Sequence, residues 1–257
     1  MLRSQRNLEQ LNMNIGTQIL ILEVSMGPFF GNSIIHPVLL KDEDGLTLID
    51  SGMLGQLEPL RKAISDVGED ISRLKRIIIT HQDIDHIGNV QALLDLLPNT
   101  ALLAHKDDIP YMTGERPFIK LTPERINLME PALKQQAEDM IRRLPDLRFA
   151  HMLEDGEHLP YGGGIQIIHT PGHTPGHISL YVPAHKLLLA ADELRVVEGE
   201  LVGPAESATP DMPLALKSLD KLTVLDVDKV LCYHGGYYDH NVQARLQALS
   251  QSRESTI

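Results

Sequence analysis

The 257-residue sequence is short of several residue types that mark particular classes of protein. Its single cysteine, Cys232, cannot form an internal disulfide, and the chain has no tryptophan and only four phenylalanines. No apolar run approaches the roughly 20 residues that a membrane-spanning helix needs. The first 25 residues lack the basic start, apolar stretch and small-residue cleavage site of a secretory signal, so we expect a cytoplasmic protein.

Basic residues are also scarce. Thirty-five acidic residues against 23 lysines and arginines leave a formal charge of −12, which opposes binding to nucleic acid or to an anionic membrane surface. The hydrophobic content of 42% and charged content of 23% are ordinary for a soluble, folded chain. Against these absences, twelve histidines stand out and point toward a metal.

Short apolar runs separated by turn residues predict strands, and runs with helical spacing lie between them. Strands are predicted at 18–24, 37–40, 46–49, 77–79, 101–104, 165–168, 178–182, 187–191 and 229–232, and helices at 54–68, 90–97, 214–225 and 241–249. The Asp44-Gly45 pair between two strands predicts a hairpin with a primed turn, because glycine tolerates the positive φ that such a turn requires.

Residues 107–147 differ from their surroundings, since they are richer in Met, Pro, Arg and Glu. A helical stretch is predicted at 123–143, with apolar residues including Leu128 and Leu133 at helical spacing. This segment is interpreted as a helical insertion over one face of the core. It could be a lid over a substrate or simply a packed pair of helices, and the sequence leaves both open.

The segment from Thr80 to His86 places four potential metal ligands within six residues, directly after a predicted buried strand. Ligands at such alternating and adjacent positions cannot share one helix face, so the backbone would have to curl around a cation. The alternative is a polar turn that only caps the following helix, with Asp85 as the N-cap.

Further ligand-type residues follow the ends of other predicted strands. His173 lies in a loop stiffened by two Pro-Gly pairs, Asp192 follows an apolar strand, and His234 follows the strand 229–232. Each signal alone is weak. Together they place ligand-type side chains at the ends of successive strands, which would converge at one edge of the fold.

These motifs resemble the metallo-β-lactamase-fold hydrolases, whose pattern is H-x-H-x-D-H, then a His in a T-P-G-H-T-x-G-H segment, then a strand-end Asp and a final His. The resemblance runs from about Thr17 to the C-terminal region. It implies one domain over 1–257 with a four-layer α/β (α+β) fold, the αββα sandwich, and with the insertion at about 107–147. It also implies a binuclear metal site along one edge.

The resemblance implies seven metal ligands: three for each of two ions and one that both ions share. These are His81, Asp83 and His173 for the first metal, Asp85, His86 and His234 for the second, and Asp192 as the bridge. Asp50 would orient a ligand imidazole, and His177 would support its loop by hydrogen bonding. The remaining histidines are expected to be structural: His105 has no partner at ligand spacing, and His169 lies outside the main pattern.

The chain departs from the family pattern at position 83, where Asp replaces the usual His. Three carboxylates and a bridging hydroxide would neutralise two divalent ions and weaken the Lewis acidity of the first. The change shifts preference from zinc toward harder ions, so we expect two divalent metal ions, zinc first, with manganese or iron as alternatives.

The implied activity is hydrolysis of a small acyl substrate of lactone or ester type by a metal-bridging hydroxide, with Asp85 as the catalytic residue that holds or deprotonates the water. The chain has no G-x-S-x-G elbow that would supply a serine nucleophile. A thioester or β-lactam is the alternative substrate. From other classes, a non-haem iron redox enzyme or a metal-bound structural module remains open, as does the oligomeric state, including a homodimer.

Overall fold

The computed structural model describes residues 18–251. The predictions made for residues 1–17, including Thr17 at the start of the family resemblance, lie outside these residues. Sixteen strands are assigned within them. In chain order they are β1 (Gln18–Ile21), β2 (Val24–Ser25), β3 (Ile34–Ile35), β4 (Val38–Asp42), β5 (Gly45–Ile49), β6 (Leu74–Ile79), β7 (Ala101–His105), β8 (Phe149–Leu153), β9 (His158–Leu159), β10 (Ile165–His169), β11 (Ile178–Val182), β12 (Leu187–Ala191), β13 (Arg195–Val197), β14 (Glu200–Val202), β15 (Lys229–Cys232) and β16 (Gly236–Tyr238).

Two six-stranded sheets hold most of these strands. The first has the order β1-β4-β5-β6-β7-β8, and the second has the order β16-β15-β12-β11-β10-β9. Strands β5 to β8 are parallel, and so are β12 and β15, so the carboxyl ends of neighbouring strands meet at a common edge. That edge is where loops can bring side chains from several strands together.

The helices pack on the outer faces of the two sheets. They are α1 (Leu57–Asp66), α2 (Ile84–Ile87), α3 (Val90–Leu96), α4 (Ile109–Met112), α5 (Pro123–Asn127), α6 (Pro131–Arg143), α7 (Met212–Thr223) and α8 (Val242–Gln251). Helices α4, α5 and α6 all lie between β7 and β8, within the segment that the sequence marks as an insertion.

Three buried apolar clusters show how the layers are stacked. One lies between the sheets and joins residues such as Ile78 of β6 and Leu180 of β11. A second lies between the first sheet and its helices, where Ile77 packs with Leu60 of α1. The third joins the second sheet to α7 and α8. Because both faces of each sheet are covered, the central strands are apolar on both sides, as their sequences predict. The predicted αββα arrangement is confirmed.

The structure differs locally from two sequence predictions. The hairpin between β4 and β5 forms, but its turn residues are Glu43 and Asp44, and Gly45 already pairs with Asp42 as the first residue of β5. Neither turn residue has a positive φ, so the predicted primed turn is wrong. The helical stretch at 123–143 is interrupted before Pro131, because the residue before a proline is forced out of the helical region.

Leu128 lies at that interruption and is 87% exposed, so it does not belong to the buried face that its spacing predicts. By contrast, Leu133 of α6 is buried against the first sheet. No helix within residues 18–251 is long and apolar enough to span a bilayer.

Candidate metal centre

The seven ligand-type residues singled out in the sequence lie at the common edge of the two sheets. The loop after β6 carries His81 and Asp83, the short helix α2 that follows carries Asp85 and His86, and the loop after β10 carries His173. Asp192 directly follows β12, and His234 follows β15 by one intervening residue. A backbone hydrogen bond from Ile178 N to Thr80 O at 3.1 Å ties the two sheets together beside the site.

The first group of side chains consists of His81, Asp83, His173 and Asp192. Asp83 Oδ2 lies 3.3 Å from His81 Nε2 and 3.0 Å from His173 Nε2. Asp192 Oδ2 lies 3.4 Å from His173 Nε2. Two imidazole nitrogens and two carboxylate oxygens therefore converge, a donor set that suits a divalent transition metal.

The second group consists of Asp85, His86 and His234, and Asp192 reaches it as well. His234 Nε2 lies 3.2 Å from Asp85 Oδ2 and 3.5 Å from Asp192 Oδ2. Asp192 Oδ1 lies 3.4 Å from His86 Nε2. Asp192 is thus the carboxylate that contacts ligand-type nitrogens of both groups.

Three atoms of these groups are buried without a hydrogen-bond partner among the described residues: His81 Nε2, His86 Nε2 and Asp192 Oδ1. A buried polar atom that lacks a partner costs free energy, and ligation of a cation removes that cost. The side chains present therefore fit divalent metal ions.

The pKa values of the site follow from burial and from this crowding of charge. Burial lowers the pKa of His81 to about 4, with the neighbouring His86 acting in the same direction. Burial also opposes the charge on His234, but Asp192 and Asp85 outweigh it and raise its pKa to about 10. The imidazoles of His234 and His86 hold the pKa of Asp192 well below its usual range despite its burial.

A family model described as the metallo-beta-lactamase superfamily matches residues 30–234. The chain belongs to the metallo-β-lactamase superfamily. It is similar to the probable metallo-hydrolase YflN of Bacillus subtilis, with 30% identity over 77% of this chain and 78% of that protein. The fold and family predicted from the sequence are confirmed, and the chain is a metal-dependent hydrolase of this superfamily.

Two further relatives carry more specific names. An N-acyl homoserine lactonase of a Bacillus species is 27% identical, over 77% of this chain and 78% of that protein. A hydroxyacylglutathione hydrolase of Aeromonas hydrophila is 27% identical, over 90% of this chain and 76% of that protein. Among solved structures, a metallo-beta-lactamase family protein from Thermus thermophilus has a TM-score of 0.69 at 22% identity, covering 92% of this chain and 79% of that one, which supports the fold alone.

Asp50 lies behind the second group in this metallo-β-lactamase fold. Its φ is 62°, and its carboxylate accepts hydrogen bonds from Thr80 N and Thr80 Oγ1, both at 2.8 Å. Its Oδ2 also accepts from His86 Nδ1 at 2.8 Å. With Nδ1 engaged in this way, His86 directs Nε2 into the site. The contact fixes both the tautomer and the orientation of the ring.

Both ring nitrogens of His177 are engaged in hydrogen bonds, so neither is free to bind a metal. Its Nδ1 contacts Thr170 Oγ1 at 2.8 Å, and its Nε2 accepts from the backbone N–H of Asp192 at 3.1 Å. Burial, aided by nearby imidazoles, holds the pKa of His177 well below its usual value, so the ring stays neutral and can accept. It therefore anchors the backbone of the carboxylate that both groups share.

Asp108 is a buried carboxylate that the sequence reasoning missed. It accepts from Gln82 N at 2.9 Å in one ligand loop, and from Thr174 Oγ1 at 2.8 Å and Gly176 N at 2.7 Å in the other. Gly176 packs so closely that a Cβ there would lie 2.4 Å from Asp108 N. Asp108 thereby fixes the loop after β6 against the loop after β10. No spacing pattern connects these residues, so the sequence holds no direct signal for the contact.

Lys120 and Tyr233 were also missed. The Lys120 ammonium donates to Asp83 Oδ2 and contacts His173 Nε2 at 2.6 Å. Tyr233 O–H donates to the backbone carbonyl of Asp85 at 2.5 Å, and its ring packs against His86 with centroids 3.9 Å apart. Lys120 belongs to the inserted segment, which shows that this segment reaches the site.

A third group of ligand-type residues lies nearby, and it corrects one prediction. His105, expected to lack such partners, lies beside Asp107 and His169. The two imidazole rings stack with centroids 3.9 Å apart and an interplanar angle of 16°. Ring-nitrogen lone pairs lie in the ring planes, so nearly parallel stacked rings do not direct them at one ion. His169 Nε2 is also engaged by the carbonyl of Pro175 at 2.8 Å.

A cavity of about 300 Å³ opens onto the two groups of ligand-type side chains. Its floor includes Asp83, Asp85, Asp192 and His234, while Phe118 and Leu121 of the inserted segment form an apolar wall. Lys120 and Arg125, from the same segment, are the lysine and arginine side chains that line it. A mostly apolar cavity above a few convergent polar groups is the usual form of a small-molecule site.

Proposed function

We propose that this protein is a binuclear metal-dependent hydrolase that cleaves a small acyl substrate of lactone or ester type. The observation that carries the proposal is the position of Asp192. Its Oδ2 lies 3.4 Å from His173 Nε2 of the first group and 3.5 Å from His234 Nε2 of the second, and its Oδ1 lies 3.4 Å from His86 Nε2 of the second. A carboxylate in that position can hold two cations next to one another beneath the cavity.

Zinc is the metal we propose first, with manganese or iron as alternatives because Asp83 adds a hard oxygen donor. His81, Asp83 and His173 would hold one ion, and Asp85, His86 and His234 the other, with Asp192 between them. Divalent ions bound there supply Lewis acidity and lower the pKa of a water molecule.

Asp85 is the residue we assign to proton transfer. Its side chain lies on the cavity floor, is about 14% exposed and pairs with His234 Nε2 at 3.2 Å. Burial works against its charge, but His86 and His234 hold its pKa below the usual value, so it is ionised at neutral pH. An ionised carboxylate facing the cavity can orient an attacking water and accept its proton.

The substrate class rests on the cavity and on the relatives. The apolar wall formed by Phe118 and Leu121 suits an acyl chain, and the similarity to an N-acyl homoserine lactonase favours a lactone. A thioester is the second candidate, because the similarity to a hydroxyacylglutathione hydrolase extends over 90% of this chain.

Metal analysis and a substrate panel test the proposal together. Protein purified without added metal should contain about two divalent ions per chain, and its zinc, manganese and iron forms should be assayed on lactones, esters, thioesters, β-lactams and phosphodiesters. We expect hydrolysis of the lactone or ester, and its loss in Asp85→Asn. Asp95→Asn, at an exposed carboxylate paired with Arg143, is the matched control.

Three results would contradict the proposal. A metal content below about one ion per chain would remove the ligand set. Activity unchanged by Asp85→Asn, with only stability lowered, would indicate a structural metal module. A coloured iron protein that consumes oxygen and hydrolyses none of the panel would indicate a redox enzyme instead.

A further inference from the structure

We propose that the Lys120 ammonium and the first metal ion exclude one another, so that Lys120 makes the first metal position the weaker of the two. This inference rests on the proposed binuclear function and concerns one residue of the inserted segment. It assigns Lys120 as a determinant of how many metal ions the protein holds at a given metal concentration.

The contacts of Lys120 are the basis of the inference. Its Nζ contacts Asp83 Oδ2 and His173 Nε2. The side chain of Lys120 is only 14% exposed and that of Asp83 only 13% exposed. Asp83 Oδ2 is also the oxygen that lies 3.3 Å from His81 Nε2. Lys120 therefore approaches the same oxygen around which the first group converges.

The atoms that Lys120 contacts are the ones that a first metal ion would need. His173 Nδ1 is already engaged by Thr209 Oγ1 at 3.2 Å, which leaves Nε2 as the ligand atom. A nitrogen lone pair that accepts an N–H hydrogen bond cannot bind a metal at the same time. A divalent cation and an ammonium group placed around the same two atoms would also repel each other strongly, since the site is buried.

Among the described residues, the second position has no such competitor. Within residues 18–251, the ion pairs of Asp85 and Asp192 involve histidines and no lysine or arginine. The charges agree with this difference. One divalent ion together with Lys120 carries three positive charges, which match Asp83, Asp85 and Asp192, whereas two ions without Lys120 carry four and need a bridging hydroxide for the same balance.

The surroundings of Lys120 allow its side chain to leave without unfolding the segment. The backbone is fixed on both sides, by Ile119 N donating to Gln82 Oε1 at 3.0 Å and by Arg125 Nη1 donating to Lys120 O at 3.1 Å. The four-carbon side chain borders the 300 Å³ cavity. Rotation of the side chain into that cavity would free Asp83 and His173 for metal.

Metal titration of a charge-removing variant tests the inference. Metal-free wild type and Lys120→Met should be titrated with Zn²⁺ against a competing chelator, and with Co²⁺ followed by its absorption spectrum. We expect wild type to bind two ions, with a lower affinity at the first position than at the second. In Lys120→Met the weaker affinity should rise about 10- to 100-fold, the usual size of effects from groups next to a metal site.

Three further variants serve as controls. Lys120→Arg keeps the charge and should retain the gap between the two affinities. Lys134→Met removes an exposed lysine on the same segment, which contacts Asn127 at 2.8 Å, and should titrate like wild type. In a His173→Ala background, Lys120→Met should leave the affinity for the remaining ion unchanged, because the first position is already disabled.

If wild type and Lys120→Met bound each of the two ions with the same affinity, the inference would be overturned and the proposed function would stand. A weaker first affinity in Lys120→Met would overturn it as well, since Lys120 would then support the metal. Failure of every protein to bind Zn²⁺ or Co²⁺ would overturn the proposed function and the inference together.

Discussion

The two proposed metal positions, first and second, are built from the same residue types but differ in what surrounds them. At the first, the donors include Asp83 and His173, both contacted by Lys120 from the inserted segment. At the second, His86 is backed by Asp50 and packs against Tyr233, while its Nε2 has no partner among the described residues. Both positions border the cavity, but among the described residues Lys120 of the inserted segment contacts donors of the first position alone. Ligand type alone therefore does not determine how a metal position behaves.

The largest expected effect comes from removing the carboxylate that the two positions share. Asp192→Ala should lower the content of both ions and reduce kcat/KM by about 10³-fold or more, equivalent to at least ~4 kcal/mol of transition-state stabilisation. The measurements are metal analysis after dialysis and steady-state kinetics.

Asp226→Ala is the control for that experiment, because Asp226 is exposed and pairs with Lys186 away from the site. If Asp192→Ala kept a full complement of metal, the two positions would not share a ligand, and the comparison between them would lose its basis.

Asp108 offers a way to weaken one position more than the other. Asp108→Asn places an amide N–H₂ against N–H donors of the two loops that carry His81, Asp83 and His173. We expect the first affinity to fall about 10-fold, with a smaller change at the second. Chelator competition with Zn²⁺ measures both affinities.

The neighbouring Asp107 provides the matched control. It is about half exposed and lies outside both ligand loops, so Asp107→Asn should bind both ions like wild type. If Asp108→Asn lowered the Zn²⁺ affinity of both positions equally, the two loops would act on the site as one unit.

An effect on stability alone is expected from the histidine group that belongs to neither position. Burial, with His169 acting in the same direction, lowers the pKa of His105 to about 4. The unfolded chain takes up a proton there near pH 6.5, whereas the folded protein does so only near pH 4. The stability contributed above pH 6.5 is therefore lost as the pH falls toward 4, by about 1 to 2 kcal/mol at pH 5.

Urea unfolding of metal-free protein at pH 7 and pH 5 measures this loss. His105→Gln should show a smaller decrease in stability between the two pH values than wild type, and the exposed His240→Gln should match wild type. A decrease of equal size in all three proteins would mean that His105 is not the group that titrates.

The sequence predicted the parts of this molecule that depend on local patterns. Strand ends such as Ile79 and Ala191 are marked by apolar runs that stop at ligand-type residues, so the convergence of seven side chains at one edge could be foreseen. The break between α5 and α6 also has a local signal, because Pro131 disfavours a helical conformation at the residue before it. A prediction from the spacing of apolar residues alone did not include this break.

The contacts of Lys120 and Asp108 could not be predicted in this way. Lys120 lies 37 residues beyond Asp83, and Asp108 lies 68 residues before Gly176. Such contacts depend on how separate loops pack in three dimensions. A lysine or aspartate in a charged, helical segment looks like an ordinary surface residue until the tertiary structure buries it.

The wall of the cavity and its floor come from different stretches of the chain. Phe118, Leu121 and Arg125 all lie between α4 and the start of α6, a stretch that adds no strand to either sheet. Changes in the stretch between Thr113 and Pro131 should therefore alter which substrates enter the cavity, while the strands that position the ligand-type side chains stay in place. Residues 114–130 are thus the place to vary the cavity wall, provided that the buried Phe118, Leu121 and Ile126 keep their packing and that Lys120 is varied together with the metal.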